Sequence, residues 1–457
     1  MLAGVQNSFR VLFISGIAGD TRRYRCAHPK EQLMMKGVTV NIREDDDPQL
    51  LADVFDYDLF VFHRVPFSPL IDLVIKMAHL QGKPIIFETD DLIFDPELYD
   101  HIGFVDTLST EEAYHFWFEL KQLEKTFQHC DCVLTTNEFL ADQAREKDKP
   151  AYIHRNAPSM EMFHLAEQAL AERQARLENN DGDLVPPVVI AYFSGTGSHN
   201  RDFQTIVEPL IRIMSSYPQT WLHVGGHLEL DPDFSSFQDR IRRAPYVTWR
   251  ELPQFIAQTD INVVPLELDN PFCQAKSEIK FIEAALIGVP TVASRIKAYE
   301  HAIDQGQNGI LVDTSDDWYD ALEHLINSPE RRYEIGERAR HSVYLHYTPQ
   351  RQAEKLVSVL RSILQNYSRS SVSNSDLWQS YISNVMQYAS DLRQKAQDQD
   401  KQIEGIRQAL RHYERQLIVA QRRIVGLEQN IEAIMQGRLM RLMTGLQSWW
   451  QRLAKRR

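Results

Sequence analysis

The chain has 457 residues, enough for two or three domains, with the 43% hydrophobic and 25% charged content of an ordinary globular protein. Its formal net charge of −13 argues against a bulk nucleic-acid binder, and no run approaches the roughly 20 apolar residues of a membrane span. The opening MLAGVQNSFR lacks a signal-type apolar core, and Cys26, Cys130, Cys132 and Cys273 have no metal-type spacing, so the expectation is a cytoplasmic chain with reduced, buried thiols.

Arg10–Ser15 reads as a buried strand. It runs into Gly16-Ile17-Ala18-Gly19-Asp20 and then Thr21-Arg22-Arg23-Tyr24-Arg25. A strand, a loop with Gly16 and Gly19, and a basic helix start make a turn that lets backbone approach a phosphate. The pattern is not G-x-G-x-x-G, which gives little support to a nicotinamide or flavin cofactor. Arg22, Arg23 and Arg25 at one strand exit favour anion contact over a plain crossover.

Apolar runs of strand length recur at Val38–Ile42, Leu59–Phe62, Pro84–Phe87, Cys132–Thr135 and Ala151–Ile153. Helical stretches such as Leu70–Leu80 and Glu111–His129 separate several of them. This alternation predicts a parallel, doubly wound sheet over residues 1–178, with ligands beyond the carboxyl ends of its strands. Those ends carry His63-Arg64, Glu88-Thr89-Asp90-Asp91, Asn137-Glu138 and His154-Arg155-Asn156. The acids of the second cluster, Asp90 among them, are candidates to orient an acceptor or to act as general base. They equally suit a cap before Leu92-Ile93-Phe94. An acidic cluster can also hold a divalent ion, but the tandem architecture argues against that role.

Asn179-Asn180-Asp181-Gly182-Asp183 and Pro186-Pro187 break the chain and mark an interdomain linker. A second strand–helix series over 185–348 opens with Val188–Phe193, which enters Ser194-Gly195-Thr196-Gly197-Ser198. Small residues there let backbone N–H groups meet an anion, and the Ser194 and Thr196 hydroxyls add donors. His199-Asn200-Arg201-Asp202 opens the next helix. Further strands are read at Trp221–Gly225, Tyr246–Trp249, Ile261–Pro265, Thr291–Ala293 and Gly309–Val312.

The most informative stretch is Lys276–Ser294, KSEIKFIEAALIGVPTVAS. Ile279, Phe281, Ile282, Ala285 and Leu286 have helical spacing; Gly288 stands where a C-cap belongs, and Pro290 follows. The helix is read as starting at Lys276, Ser277 and Glu278. A helix N-terminus with a nearby lysine suits a diphosphate. A carboxylate further along, Glu283, can accept hydrogen bonds from ribose hydroxyls. The alternative is an ordinary helix–strand unit with charges on its wet face.

Helices at Trp318–Ile326, Pro329–Tyr347 and Pro349–Gln365 close the body, the last filling 349–367. Residues 368–380, with SRSSVSNS, read as a polar linker. Beyond it Ala389, Ala396, Ile403, Leu410, Leu417, Ile424 and Ile431 recur every seventh residue, beside a companion series interrupted by Gln399. This heptad seam predicts a coiled coil over 381–436, hence a homo-oligomer, with an intramolecular hairpin as the alternative. Residues 437–457 hold six basic residues, no acid, and Trp449-Trp450. Such a tail suits the headgroups of an anionic membrane, or simply ends the coiled coil.

The run IEAALIGVPTVAS, with Tyr299-Glu300, Ala302-Ile303 and Asn308-Gly309-Ile310-Leu311-Val312, resembles the donor half of family 4 glycosyltransferases of the GT-B fold. The resemblance covers most of residues 10–365 and is strongest from 188 to 345. It implies two doubly wound Rossmann-like domains facing a cleft, here with the added helical extension, and a last body helix that crosses back to the first domain. The family's Glu-x7-Glu motif is broken: Glu283 matches its second Glu, and Ala275 stands where the first belongs. Arg201 falls where the family places a basic residue on the donor diphosphate, while the family's earlier arginine has no counterpart in Gly195–Ser198. At the strand exit where the family often has a His beside the sugar, this chain has Phe87-Glu88-Thr89-Asp90.

The resemblance implies a retaining transfer of a hexosyl or deoxyhexosyl group from a nucleotide-diphosphate sugar, the donor being a substrate, with no cofactor and no metal. Lys276 and Arg201 would neutralise the diphosphate, Ser194, Gly195 and Thr196 would add donors, and Glu283 would hold the ribose. Glu278 or Asp90 would orient sugar or acceptor. The expected acceptor is a glycan or lipid-linked glycan of surface polysaccharide synthesis, reached from the inner face of the membrane. Competing readings are a non-catalytic nucleotide-sugar-binding scaffold that oligomerises through its coiled coil, favoured by Ala275, and a nucleotide-sugar epimerase.

Overall fold

The computed structural model describes residues 9–454 apart from 104, 106, 107, 179–186, 195–199 and 369–372. Among the described residues, twelve strands form two six-stranded sheets, every pairing parallel. The first contains β1 (Arg10–Ser15), β2 (Thr39–Glu44), β3 (Leu59–His63), β4 (Ile85–Thr89), β5 (Cys132–Thr135) and β6 (Ala151–Ile153), in the order β2-β1-β3-β4-β5-β6. The second contains β7 (Val188–Ser194), β8 (Thr220–Gly226), β9 (Ile241–Ala244), β10 (Ile261–Val264), β11 (Thr291–Ser294) and β12 (Ile310–Val312), in the order β12-β11-β10-β7-β8-β9. In each sheet the order reverses beside the first strand, between β1 and β3 and between β7 and β10. A crevice opens at such a switch point, because the two following crossovers leave on opposite faces.

The strands are near-continuous apolar runs because helices cover both faces of each sheet. Val11, Leu12, Phe13 and Ile14 of β1 have no solvent exposure, nor do Ile85, Ile86 and Phe87 of β4. The helix Ile279–Leu286 buries Phe281, Ile282, Ala284, Ala285 and Leu286 in the second domain. Gly288 follows with φ 70°, a left-handed stop that a side chain would strain. The helix Pro349–Asn366 crosses back: Leu356, Val357, Leu360 and Ile363 pack into the first domain's core with Val11, Phe13 and Leu33. Lys36 ties the same surface to Glu354 at 3.0 Å.

Two local expectations are corrected. Tyr246–Trp249 is not a strand; the edge strand is Ile241–Ala244, and Tyr246 and Trp249 turn into the interdomain cleft instead. The helix expected from Lys276 starts at Ile279. A short helix, Pro271–Gln274, ends just before, and the Ala275 carbonyl is taken by Asn137 Nδ2 of the first domain at 2.7 Å. Residues 275–278 are thus a link pinned across the cleft.

The body through Tyr381 forms one compact unit and Ile382–Arg457 a second. A continuous helix, Asn374–Ala454, begins inside the stretch expected as linker. Trp378 stacks on Phe55 of the body with ring centroids 5.0 Å apart, and Tyr381 meets the same ring edge-on. In the second unit the helix exposes Leu392, Ile403, Ile406, Leu410, Leu417 and Ile424. No helix among the described residues is long and apolar enough to cross a membrane. All four cysteines are free and buried.

Candidate active site

Both switch points open onto one cavity of about 550 Å³ between the two domains. The first domain contributes the segment after β1 (Ile17, Asp20, Arg23, Tyr24), Arg64 after β3, Asp90 and Asp91 after β4, and Asn156 after β6. Parallel register sets this up: His63 lies opposite Glu88 in the β3–β4 pair, so the residues that follow emerge side by side. Arg64 takes φ 47° and sends its Nε to Asp90 Oδ1 at 2.9 Å. Its Nη2 lies 3.6 Å from Asp91 Oδ2, which also meets Lys276 Nζ at 3.1 Å. The cleft is therefore spanned by alternating charges, Asp90, Arg64, Asp91 and Lys276.

That chain decides what Asp90 can do. Burial alone would raise its pKa, but Arg64, with His63 and Arg25 behind it, outweighs burial and holds it at about 2. A carboxylate held that acidic is better suited to orienting a hydroxyl than to accepting a proton near neutrality. Glu88 lies one layer deeper with no exposure. It accepts from Arg25 Nε at 2.6 Å and lies 2.6 Å from His63 Nδ1, and Arg25 also donates to the Asn156 Oδ1 at 2.9 Å. This buried network braces the floor of the crevice.

The second domain contributes Ser194 at the end of β7, Gly225 and Gly226 at the end of β8, Tyr246 and Trp249, and Lys276, Ser277, Lys280 and Glu283. Gly226 has φ 84°, and a Cβ there would lie 1.8 Å from the Ser194 carbonyl oxygen, so the two strand ends meet only because it is glycine. Tyr24 donates to Glu283 Oε1 at 2.8 Å across the cleft. Burial raises the Glu283 pKa, opposed by the Tyr24 hydrogen bond and Arg23. Asn156 Nδ2 donates to Ser277 Oγ at 2.9 Å, and the Tyr246 hydroxyl to Asp20 Oδ2 at 3.0 Å. The Arg23 guanidinium lies 4.7 Å from the centre of a Trp249 ring.

Of the residues expected at the site, Asp90, Ser194, Lys276 and Glu283 line the cavity. Gly195 and Thr196 lie outside the described residues. Gly16 and Gly19 flank the wall rather than forming it: a Cβ on Gly16 would meet the Arg64 carbonyl oxygen at 2.3 Å, and Gly19 takes φ 89° as the chain turns into Asp20–Arg22. Two expectations fail on geometry. Glu278 is fully buried behind the link, where it accepts from Arg155 Nη1 at 3.3 Å and the Tyr347 hydroxyl at 2.8 Å. It clamps the first domain to the end of the second instead of facing a sugar. Arg201, in the helix Asn200–Gln204, is exposed and does not line the cavity. Of the three early arginines only Arg23 reaches the cavity; Arg22 pairs with Glu44 and Arg25 with Glu88.

Lys280, Tyr24 and Trp249 were not singled out from the sequence, and Arg64 was named only within the His63-Arg64 cluster at a strand exit. Lys276, Lys280 and Glu283 follow at spacings of four and three, the signal of one helical face. Arg64 needed the pairing of β3 with β4, which no local pattern carries. Asp202, Glu267 and Cys273 offer ligand atoms within 4.8 Å of one another, but the Cys273 thiol, raised by burial and then by Asp202, donates to Asp202 Oδ1 at 3.1 Å.

Residues 201–358 match a family model described as "Glycosyl transferase-like". The chain is 32% identical over 107 residues, 23% of its length, to the D-inositol 3-phosphate glycosyltransferase of Pseudarthrobacter chlorophenolicus. It is 31% identical over 159 residues, 32% of its length, to that of an Arthrobacter species. These matches span 24% and 36% of the relatives' own lengths. Among solved structures, HepE of Anabaena in complex with UDP-glucose superposes with a TM-score of 0.52 at 13% identity, over 78% of this chain and 100% of that one. Sucrose-phosphate synthase of Thermosynechococcus elongatus gives 0.51 at 16% identity, over 78% and 99%. A glycosyltransferase from Rickettsia africae gives 0.54 at 13% identity, over 79% and 100%. The chain thus has the GT-B fold over about four-fifths of its length, and its residues 201–358 are similar to the glycosyl transferase-like family.

Proposed function

We propose that the protein is a retaining glycosyltransferase that takes a sugar from a nucleotide-diphosphate donor. The observation that carries the reading is that Lys276, on the pinned link, and Glu283, on the helix Ile279–Leu286, both line the interdomain cavity, one cation and one carboxylate in the same wall. The cation suits a diphosphate and the carboxylate suits ribose hydroxyls. As the sugar–oxygen bond breaks, charge grows on the β-phosphate, and a lysine fixed in an enclosed cleft stabilises it. Side-chain cations can do this without a metal, and we assign the reaction to no metal and no cofactor. Asp90, oriented by Arg64, is placed to hold a hydroxyl of the sugar or acceptor. The relatives named D-inositol 3-phosphate glycosyltransferase, and the neighbour bound to UDP-glucose, support a nucleotide sugar as donor.

The acceptor reading is a glycan or lipid-linked glycan of surface polysaccharide synthesis, reached at a membrane's inner face through 437–457, with two or more copies joined along 381–436. The exposed Ile403, Leu410, Leu417 and Ile424 support the association, since an apolar stripe that long gains by burial. The non-catalytic scaffold keeps one observation in its favour: Asp91 and Tyr24 already occupy Lys276 and Glu283. Thermal-shift titration with UDP-, GDP-, ADP- and dTDP-sugars, followed by a donor-hydrolysis assay, separates the two. Binding with turnover supports the enzyme, binding without turnover supports the scaffold, and no stabilisation by any donor refutes both.

A further inference from the structure

Lys276 is matched by Asp91, but the cavity holds a second lysine that no described carboxylate of the first domain pairs with. Lys280 lies four residues on, in the first turn of the helix Ile279–Leu286 and in the same wall as Glu283. Its ammonium has no ion pair among the described residues, and it lies over the ring of Tyr192, 4.6 Å from Nζ to the centroid. A half-buried cation set against an aromatic face, in an enclosed cleft, with no carboxylate in contact, is costly unless an anion arrives. The charged groups acting on it are Asp202 from the helix after β7, and Glu283 and Lys276 from its own segment. Tyr299, from the helix Lys297–Ala302, adds a neutral phenol to the wall.

Resting on the reading of the cleft as a nucleoside diphosphate site, we propose that Lys280 is the second cation that meets the diphosphate. The role expected for Arg201 passes to it, because Arg201 is exposed outside the cavity wall. Burial, against the opposing pull of Asp202 and Glu283, brings the Lys280 pKa down to about 8, so part of its charge is missing above that pH. A bound diphosphate favours the ammonium and raises the pKa again. Binding is then coupled to proton uptake, and affinity falls as pH rises through about 8. Lys276 is raised by Asp91 against its burial and stays charged over the same range.

The test is isothermal titration of the full-length protein with UDP, GDP and ADP at pH 7.0 and 8.5, in buffers of different ionisation enthalpy. For whichever nucleotide binds, uptake grows from roughly 0.1 to as much as about 0.8 proton between the two pH values. Lys280→Met loses that uptake and binds roughly tenfold more weakly at pH 7. Lys280→Arg, charged throughout, retains binding, shows no uptake and loses the pH dependence. The matching nucleoside, without phosphates, shows no uptake even with the unaltered protein. Uptake that persists in Lys280→Met or Lys280→Arg overturns the assignment while leaving the nucleotide site standing. If none of the three nucleotides binds the unaltered protein, the reading beneath it falls instead.

Discussion

Lys276 is held by Asp91 at 3.1 Å in the structure, yet the proposed reaction asks it to meet a diphosphate. The two roles compete, so substitutions at the two positions should act in opposite directions. Lys276→Met removes a charge-assisted contact worth about 1.5–3 kcal/mol, and the Kd for the preferred nucleoside diphosphate should rise roughly 10- to 150-fold. Asp91→Asn frees the lysine. The side chains of the pair are 33% and 20% exposed, so solvent screens it and its loss is worth at most about 1 kcal/mol, a tightening of up to roughly fivefold. In the double variant nothing remains to free, and Asp91→Asn should then have no effect. Calorimetry on the four proteins, with circular dichroism to verify folding, completes the cycle. If Lys276→Met stays within twofold of the unaltered protein, Lys276 does not hold the diphosphate. If Asp91→Asn weakens binding equally in both backgrounds, Asp91 contacts the ligand itself and the competition is refuted.

Glu283→Ala should weaken a nucleoside diphosphate about tenfold and leave inorganic pyrophosphate unaffected, measured by competition, because the carboxylate is assigned to ribose. Glu278→Ala leaves Arg155 in the interior with one partner fewer and should destabilise the body by about 3–5 kcal/mol in urea unfolding, whereas Glu278→Gln, still able to accept from Tyr347, costs less. Asp90 is depressed from 3.8 to about 2, so its pairing with Arg64 contributes about 2 kcal/mol above pH 4 and loses it as pH falls through 2. Arg64→Met should therefore be less stable at pH 7, with the gap closing towards pH 2; a gap that stays constant excludes the pair as its source. Ile403→Lys with Leu410→Lys should convert the full-length protein to a monomer in light scattering without changing nucleotide affinity, and an unchanged mass would place the association elsewhere.

The two sheets were legible because the information is local. Buried parallel strands are apolar runs of fixed length, and the runs at 10–15, 59–62, 132–135 and 188–193 fall on strands. The Gly288 stop was equally readable, since a left-handed residue after an apolar helical stripe is a short-range pattern. Tyr246–Trp249 misled because aromatic β-formers suit a strand and a ligand wall alike, and only the path of the edge strand Ile241–Ala244 separates the two. Glu278 misled for a related reason. Two residues beyond Lys276 it looks like a neighbour in the site, but the pinned link turns it towards Arg155, 123 residues earlier in the chain.

The sequence by itself determined the two doubly wound domains, the helix-and-stop that carries Glu283 and the heptad stripe, because each follows from hydrophobic periodicity and turn chemistry within a few residues; the return of the last body helix to the first domain was implied only by the resemblance to the GT-B family. Tertiary structure alone decided which charges share the cleft. Arg64 comes to Asp90 through the pairing of β3 with β4, Lys276 meets Asp91 and Glu283 meets Tyr24 across the domain boundary, and among the described residues no carboxylate pairs with Lys280. Electrostatic partnership depends on distance in space and on local dielectric, and neither is encoded by spacing along the chain.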